Sequence, residues 1–232
     1  MYAPRLPGSP HWCLDAPKIN RGATMRRILR NLSLTASLLL SVNAYAGDSI
    51  QDWNAAKAPP VPEVKAVKLD PKTTALLVLD LVTQTCSQER RPRCLDTLKP
   101  SHDLLVKARA AHALVVYSVT AISTMADVLP QVAALPDEPH VQATPDKFLN
   151  TDLDAILKAH GIKTVIVIGT AAHGAVLNTA AQAALRGYQV VYAEDGVSGD
   201  NPYIEQAVID IMLTGPTLST RTTLSRSDLI GF

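Results

Sequence analysis

Aromatic side chains are scarce in this sequence and make up only 4% of its 232 residues. The core must therefore be built from Ala, Leu, Val and Ile, a composition that suits a parallel β-sheet enclosed between helices. An excess of charge of one sign is also lacking, because 22 basic and 21 acidic residues leave a formal net charge of +1. Lys and Arg do not cluster over the predicted domain, so the composition predicts no nucleic-acid partner.

The usual signatures of cofactor and metal sites are missing as well. No G-x-G-x-x-G motif and no P-loop follows a predicted strand, and no G-x-S-x-G elbow indicates a serine hydrolase. The histidines are scattered, with neither an H-E-x-x-H motif nor a paired C-x-x-C. The sequence therefore predicts no bound metal and no cofactor.

No apolar run approaches the roughly 20 residues of a transmembrane helix. Residues 25–46 instead join the basic "MRRILR", the apolar "NLSLTASLLLSV" and the small-x-small "AYA", which predicts a secretory signal ending at Ala46. A short buried helix is the alternative interpretation. Residues 1–24 are interpreted as an extension upstream of a true start at Met25. We therefore expect a periplasmic or secreted protein with no membrane span once the signal is removed.

Cysteine is rare, and only Cys86 and Cys94 remain if Cys13 leaves with the predicted leader. An even pair in an oxidising compartment favours a disulfide. Closing a loop of about nine residues in this way stabilises the fold by about 2–3 kcal/mol. The alternatives are two free thiols, a redox pair, or Cys86 acting as a nucleophile.

The rest of the chain divides into an arm and a domain. Residues 47–72 contain four prolines and no clean period, which predicts an extended arm or linker. Residues 73–232 alternate short apolar strands with helices, which predicts a single α/β domain with a mostly parallel, doubly wound sheet. Strands are predicted at 74–81, 113–120, 163–170, 188–196 and 216–221. Helices are predicted at 95–112, 151–161, 172–187 and 201–213, with a short helix and loop over 122–135 and a turn-rich segment over 137–148.

Polar residues at the predicted strand ends are the candidate site, since sites in such sheets lie at the carboxyl ends of the strands. Asp80 interrupts the first apolar strand, where a carboxylate must be paired, hydrogen-bonded or protonated. Its alternative role is to anchor a loop. Lys147 lies in a turn that can reach the same edge, although a Lys in such a turn is usually only solvated. His173 follows the third strand, and its alternative is a capping or packing role. Three further polar or small residues after the fourth strand are interpreted as a turn: Asp195, Gly196 and Ser198.

The order of these segments resembles the isochorismatase-like, or cysteine hydrolase, family. The resemblance is carried by "TALLVLDL", by "ALVVYSV" and above all by "KFLNTDLDAILKAHGIKTVIVIGTAAHGAVLNTAAQAALRGYQVVYAEDG". It covers about residues 73–199. It implies a Rossmann-like, three-layer α/β/α sandwich, a homo-oligomer and a small-molecule substrate.

The resemblance also implies particular site residues. The family has an Asp at the end of its first strand, matched here by Asp80. It has a Lys before an F-x-x-T-x-L helix, matched by Lys147, although Gln142 is nearer the usual spacing. It commonly has a Cys early in the helix after the third strand, and that position falls on Ala175 beside Gly174. The resemblance therefore implies a member without the usual nucleophile.

One branch of the family lacks this Cys and uses an Asp as the general acid on a vinyl ether. By resemblance, Asp80 would donate a proton, and Lys147 would stabilise developing charge or anchor a substrate carboxylate. Thr170, Gly174 and Ala175 would face an anion through their backbone amides, and His173 would line the pocket. The sequence thus predicts a hydrolase that acts on a small polar or anionic molecule. The alternative is a non-catalytic member that binds a ligand or a partner protein.

Overall fold

The computed structural model describes residues 49–232, so the predicted signal peptide and the extension before it lie outside the described residues. The described residues divide into two units, 49–56 and Lys57–Phe232. The described part of the first unit contains one 3₁₀ turn, Trp53–Ala55. The strands of the second unit are β1 (Val67–Lys68), β2 (Thr74–Leu79), β3 (Leu114–Thr120), β4 (His140–Ala143), β5 (Thr164–Thr170), β6 (Gln189–Ser198), β7 (Thr222–Ser225) and β8 (Ile230–Gly231). Its α-helices are α1 (Pro92–Ala110), α2 (Leu153–Ala159), α3 (Leu177–Leu185) and α4 (Pro202–Thr214).

Six strands form one sheet in the order β4-β3-β2-β5-β6-β7, and every neighbouring pair is parallel. The chain begins in the middle with β2, runs outward to β4, then returns beside β2 with β5 and runs outward to β7. The strand order therefore reverses between β2 and β5. At such a reversal the carboxyl ends of the two strands border a crevice, which is where open α/β sheets bind ligands. The predicted doubly wound parallel sheet is confirmed.

Helices cover both faces of the sheet, and the side chains of β2 show how. All six residues of β2 are buried, as expected for a central parallel strand between two helical layers. Leu76 and Val78 belong to the buried cluster that α1 completes. Leu77 and Leu79 point the other way, into the cluster formed with α2, α3 and α4. The predicted three-layer α/β/α sandwich is confirmed.

The ends of three helices follow their sequence signals. α1 and α4 each have a proline in the first turn, where the missing N–H costs nothing. The Asn201 side chain accepts the Ile204 N–H at 3.0 Å and so caps α4. At α2 the Thr151 hydroxyl accepts the Leu153 N–H at 3.2 Å, as expected for a residue predicted to begin this helix.

The prediction of a strand at 216–221 is wrong. That segment closes into turns, with the Ser219 N–H donating to Gly215 O at 3.0 Å and the Thr222 N–H donating to Leu218 O at 2.9 Å. The strand β7 begins only at Thr222. Gly215 and Pro216 end α4 and lead the chain into this turn, so the extended conformation starts six residues later than the sequence pattern predicts.

Three other segments differ from the prediction in type. The turn-rich segment 137–148 contains the edge strand β4, whose four residues alternate between exposed and buried. Residues 122–135 form two 3₁₀ turns, Met125–Asp127 and Pro130–Val132, rather than a short α-helix. The helix predicted over 172–187 is divided into a π-type turn, Ala172–Val176, and α3.

Part of the predicted arm is fastened to the second unit. Strand β1 pairs in parallel with β8 in a separate two-stranded sheet. The Lys65 N–H donates to Leu224 O at 2.9 Å, and the Ser225 hydroxyl donates to Lys65 O at 2.7 Å. Within residues 49–232, no helix combines the length and the apolar character needed to cross a bilayer.

Gly169 allows β2 and β5 to approach each other closely at the crevice. Its φ is +133°, and a Cβ built there would lie 2.1 Å from Leu79 O on the neighbouring strand. Any side chain would therefore push apart the two strands that border the candidate site. Gly161, which also has a positive φ of +65°, has nothing within 4 Å of its Cβ position.

We predict that Gly169→Ala destabilises the protein much more than Gly161→Ala does. Both substitutions strain the backbone, at a cost of about 1–3 kcal/mol each. Only the first also forces a clash inside the sheet, which adds about 1–3 kcal/mol. Urea unfolding of the two variants measures the difference. Equal losses of unfolding free energy would contradict the close approach of the strands.

Candidate active site

Asp80 lies at the carboxyl end of β2, beside the point where the strand order reverses. It is 5% exposed and has a φ of +53°, a conformation that Asp tolerates better than most residues do. Its backbone N–H donates to Ser118 O at 3.1 Å, and the Ser118 hydroxyl donates to Asp80 Oδ1 at 2.7 Å. The end of β3 therefore fixes both the backbone and the side chain of this acid.

Lys147 reaches Asp80 from the segment between β4 and α2. Its Nζ lies 2.8 Å from Asp80 Oδ2, and the residue is fully buried at 0% exposure. The ammonium also donates to Ala143 O at 3.0 Å and to Val119 O at 3.4 Å. An ammonium has three N–H groups, so these three acceptors use all of them. Gln142, the other match for the family Lys, instead donates to Ser123 O at 2.7 Å.

Burial has the largest effect on the pKa of Asp80 in this pair. Loss of solvation raises the pKa of the Asp80 carboxyl above its usual value of 3.8, because a buried carboxylate loses its hydration. The charge of Lys147 and the hydrogen bonds from Lys147 and Ser118 offset part of that rise. An acid in this environment holds its proton to a higher pH than an exposed Asp does, because burial disfavours its charged form.

Ala175 lies in the π-type turn that precedes α3, at the position where the resemblance implies a thiol. The helix that follows contacts the segment of Lys147, because the Lys147 N–H donates to the Thr179 hydroxyl at 3.3 Å. Ala175 is 3% exposed. It belongs to the same buried cluster as Leu79 and Phe148, which adjoin Asp80 and Lys147 in the sequence. A methyl group therefore stands where the resemblance implies a thiol.

A second polar group at this edge centres on Arg91 and Asp200. Arg91 Nε donates to Asp200 Oδ1 at 2.8 Å, and Arg91 Nη1 donates to Thr85 O at 3.0 Å and to Thr170 Oγ1 at 3.2 Å. His173 Nε2 lies 3.8 Å from Asp200 Oδ2. We call Arg90, Arg91, His173 and Asp200 the Asp200 cluster. Of the predicted binding residues, His173 belongs to this cluster and Thr170 contacts it through Arg91.

The predicted site residues thus divide between two groups. Asp80 and Lys147 come together, whereas Thr170 contacts the Asp200 cluster through Arg91 and His173 belongs to that cluster. The Gly174 carbonyl accepts the Asn178 side-chain N–H at 2.8 Å. The peptide bond from Thr170 to Ala171 is cis. The roles of these residues in binding or catalysis stay predictions.

Thr85 joins the two groups. Its hydroxyl donates to Asp80 O at 2.5 Å, and its carbonyl accepts Arg91 Nη1. Sequence reasoning missed Thr85, Ser118 and Arg91. Of these three, only Ser118 could have been recognised from the sequence as a site residue, because it is a polar residue that interrupts the apolar second strand near its end. Nothing in "QERRPRC" separates Arg91 from its two neighbouring arginines.

The predicted disulfide between Cys86 and Cys94 is present, with the two Cα atoms 5.3 Å apart. Both cysteines are buried, and they are the only two within residues 49–232. With its sulfur bonded to Cys94, Cys86 is not a nucleophile, so that alternative does not hold for this structure. Within the described residues, no group of three or more His, Cys, Asp or Glu side chains is arranged to hold a metal ion.

A doubly wound parallel sheet with a buried acid and ammonium at its switch crevice is the architecture of an α/β protein that binds small molecules. The sequence model of one protein family, described as "Isochorismatase domain", matches residues 74–222. The chain therefore belongs to the isochorismatase family. A curated relative, described as a secreted isochorismatase effector from Verticillium dahliae, is 30% identical over 147 residues, which cover 58% of this chain and 77% of the relative.

Solved structures of other proteins share the fold. An N-carbamoylsarcosine amidase from Thermoplasma acidophilum matches with a TM-score of 0.59 and 24% identity, covering 67% of this chain and 97% of that one. An isochorismatase from Pseudomonas putida has a TM-score of 0.62 and 18% identity, with 73% and 100% covered. A nicotinamidase from Staphylococcus aureus has a TM-score of 0.59 and 17% identity, with 67% and 99% covered. At these identities the likeness shows the fold alone.

The raised pKa of Asp80 predicts how stability depends on pH. Because the folded state binds this proton more tightly than the unfolded chain, the contribution of Asp80 to stability is complete below its usual pKa of 3.8. It is lost as the pH rises through the folded-state value. We expect the unfolding free energy of wild type to fall relative to Asp80→Asn over this window, by up to about 1.4 kcal/mol per pH unit. Urea unfolding of both proteins across the acidic range measures it.

Asp103→Asn is the matched control. Asp103 is exposed, and its hydrogen bond from Lys99 lowers its pKa. Here wild type should gain stability relative to the variant as the pH rises. If wild type also gains relative to Asp80→Asn, the pairing with Lys147 outweighs burial and the raised pKa is wrong.

Proposed function

We propose that this protein is an exported hydrolase that acts on a small polar or anionic molecule through Asp80 and Lys147, without a cysteine nucleophile. The observation that carries the proposal is the buried Asp80–Lys147 contact of 2.8 Å at the switch crevice. Membership of the isochorismatase family supports a hydrolase. Export is supported by the disulfide, by the secreted relative and by the signal predicted at residues 25–46.

Asp80 acts as the general acid. Burial raises its pKa and so favours the protonated form, and Ser118 and Lys147 stabilise the carboxylate that remains after proton transfer. On a vinyl ether, the proton goes to the terminal vinyl carbon, water attacks the resulting oxocarbenium carbon, and the attacking water gives one proton back to Asp80. The neutral hemiketal then collapses to a carbonyl compound, its hydroxyl proton passing to the oxygen of the departing alcohol, so no covalent intermediate with the protein is needed.

Lys147 acts through Asp80 rather than on the substrate. All three of its N–H groups are engaged inside the protein, by Asp80, Ala143 and Val119. A direct contact with a substrate carboxylate would have to break one of them. Lys147 is therefore a positioning residue in this proposal, and the substrate anion needs a different cation.

A second candidate function is a non-catalytic member that binds a ligand or partner protein. The same engagement of Lys147 favours it, because a fully satisfied ion pair also serves as a structural anchor. The absence of a thiol at Ala175 favours it too. The two candidates differ in whether a substrate is consumed.

We predict that Asp80→Asn abolishes hydrolysis, with a loss of at least about 100-fold in kcat, because an amide cannot supply the proton. The measurement is turnover of a panel of small vinyl ethers, esters and amides, each tested with and without a carboxylate. Asp103→Asn, an exposed acid away from the crevice, should keep wild-type rates. Turnover that survives Asp80→Asn would remove Asp80 from the reaction, and no turnover on any panel member would favour the binding protein.

A second prediction concerns the missing thiol. Ala175→Cys should have a thiol pKa below about 7.5, because Lys147 lies on the facing segment and favours the thiolate. The pH dependence of iodoacetamide labelling at residue 175, followed by mass spectrometry, measures this pKa. Ala181→Cys, placed on the half-buried side of α3, should titrate near the ordinary value of about 8.5. A pKa at or above that value in Ala175→Cys would show that this position does not face the ion pair.

A further inference from the structure

Arg91 is the second buried cation at the carboxyl edge of the sheet, and the mechanism above does not use it. The residue is 3% exposed. Its Nε and Nη1 atoms are held by three acceptors, on Asp200, Thr85 and Thr170. The position of the guanidinium is therefore fixed by one carboxylate, one carbonyl and one hydroxyl.

The other terminal nitrogen of Arg91 is not used in this way. Arg91 Nη2 carries two N–H groups, and no acceptor within residues 49–232 is hydrogen-bonded to it. Among the described residues, the buried side-chain polar atoms that lack a partner are Ser101 Oγ and Thr222 Oγ1, so Arg91 Nη2 is not sealed from solvent. A guanidinium edge with two parallel N–H groups matches the two oxygens of a carboxylate or phosphate.

The charge around Arg91 also favours an anion. Within the Asp200 cluster, one carboxylate faces two arginines, with Arg90 Nη1 at 3.5 Å and Arg91 Nε at 2.8 Å from the same oxygen, Asp200 Oδ1. His173 adds a further positive charge whenever it is protonated. The neighbouring Arg93 does not contribute, because Glu205 pairs with it through two hydrogen bonds at 2.9 and 2.5 Å. The cluster therefore keeps at least one unit of uncompensated positive charge.

Arg91 lies at the edge where the proposed chemistry takes place. Its contact Thr170 ends β5, the strand paired with β2, and Asp80 follows β2 directly. Its other contact, Thr85, donates its hydroxyl to Asp80 O. Thr170 and Thr85 thus fix Arg91 beside the pair of strands that Asp80 follows.

We infer that Arg91 is a specificity-determining residue that binds an oxyanion of the substrate through its Nη2 edge. The statement that the bound molecule is a substrate rests on the proposed function, whereas the oxyanion site does not. The inference supplies the cation that the engaged Lys147 does not offer. It also assigns the substrate class, a small molecule that carries a carboxylate or a phosphate group.

Binding of defined small molecules to the full chain tests this assignment without turnover. Succinate, its neutral diamide and inorganic phosphate are titrated separately by calorimetry at low ionic strength, where charge contacts are least screened. We expect wild type to bind at least one of the two anions about tenfold or more tightly than the diamide. Arg91→Met should lose that preference. Arg91→Lys, which keeps the charge but not the fork, should lose part of it.

Arg93→Met is the matched control, since it removes the same charge from a guanidinium already closed by Glu205. It should change anion affinity by less than about twofold. A loss as large as that of Arg91→Met would show a general charge effect and overturn the inference. So would equal anion affinity in wild type and Arg91→Met, or no anion binding by wild type. If Arg91→Met does not fold, the affinity ratio of Arg91→Lys to wild type decides the question.

Asp80→Asn separates this inference from the proposed function. It should keep the preference of wild type for the anion over the neutral diamide, because Arg91 and its three acceptors are unchanged. If Asp80→Asn keeps turnover while Arg91→Met loses anion binding, the proposed chemistry fails and the oxyanion site stands. If Asp80→Asn stops turnover while Arg91→Met keeps anion binding, the reverse holds.

Discussion

The buried contact between Asp80 and Lys147 constrains everything else at the carboxyl edge of this sheet. A carboxyl group and an ammonium removed from water both lose solvation, and their contact offsets that loss only when every remaining hydrogen-bonding group is satisfied. Here the remaining partners come from the ends of the strands themselves, Ser118 and Val119 on β3 and Ala143 on β4. The pair therefore ties three strand ends together, and the edge cannot change shape without exposing an unpaired charge.

Because of this constraint, the two buried cations of the site have different proposed roles. A lysine whose three N–H groups hold an acid in place is not free to bind a ligand as well. The structure has a second cation, Arg91, whose guanidinium is only partly engaged. Thr85 contacts both groups, so the acid and the arginine are held in a fixed relation by the loop after β2. Proton transfer and anion recognition are thus assigned to different residues.

The sequence predicts the parts of the fold that depend on continuous hydrophobic patterns. The buried strands β2, β3, β5 and β6 and the helices α1 and α4 lie close to their predicted positions, because apolar runs and helix-start residues are local signals. The edge strand β4 was not predicted. Its four residues alternate between exposed and buried positions, and so short a pattern also occurs in a polar turn. The segment 216–221, wrongly predicted as a strand, follows the end of α4. There Gly215 and Pro216, and not the hydrophobic pattern, determine the path of the chain.

The candidate site was predicted to a lesser extent, for a related reason. Asp80 was recognisable because a carboxylate inside an apolar run needs an explanation. Lys147 was recognisable only through the resemblance to a family, since a lysine in a turn is usually solvated. Arg91 was not recognisable at all, because its burial depends on contacts with Asp200 and Thr170, 109 and 79 residues away.

The bridge between Cys86 and Cys94 surrounds the segment that carries Arg91, and both sulfurs are shielded from solvent. A reductant can therefore reach them only after the loop opens. While the bond is intact, the loop that carries Arg91 is closed at both ends. A chain whose two cysteines are reduced would lack this brace. The oxidation state of two sulfur atoms thus bears on how firmly the arginine side of the sheet edge is held.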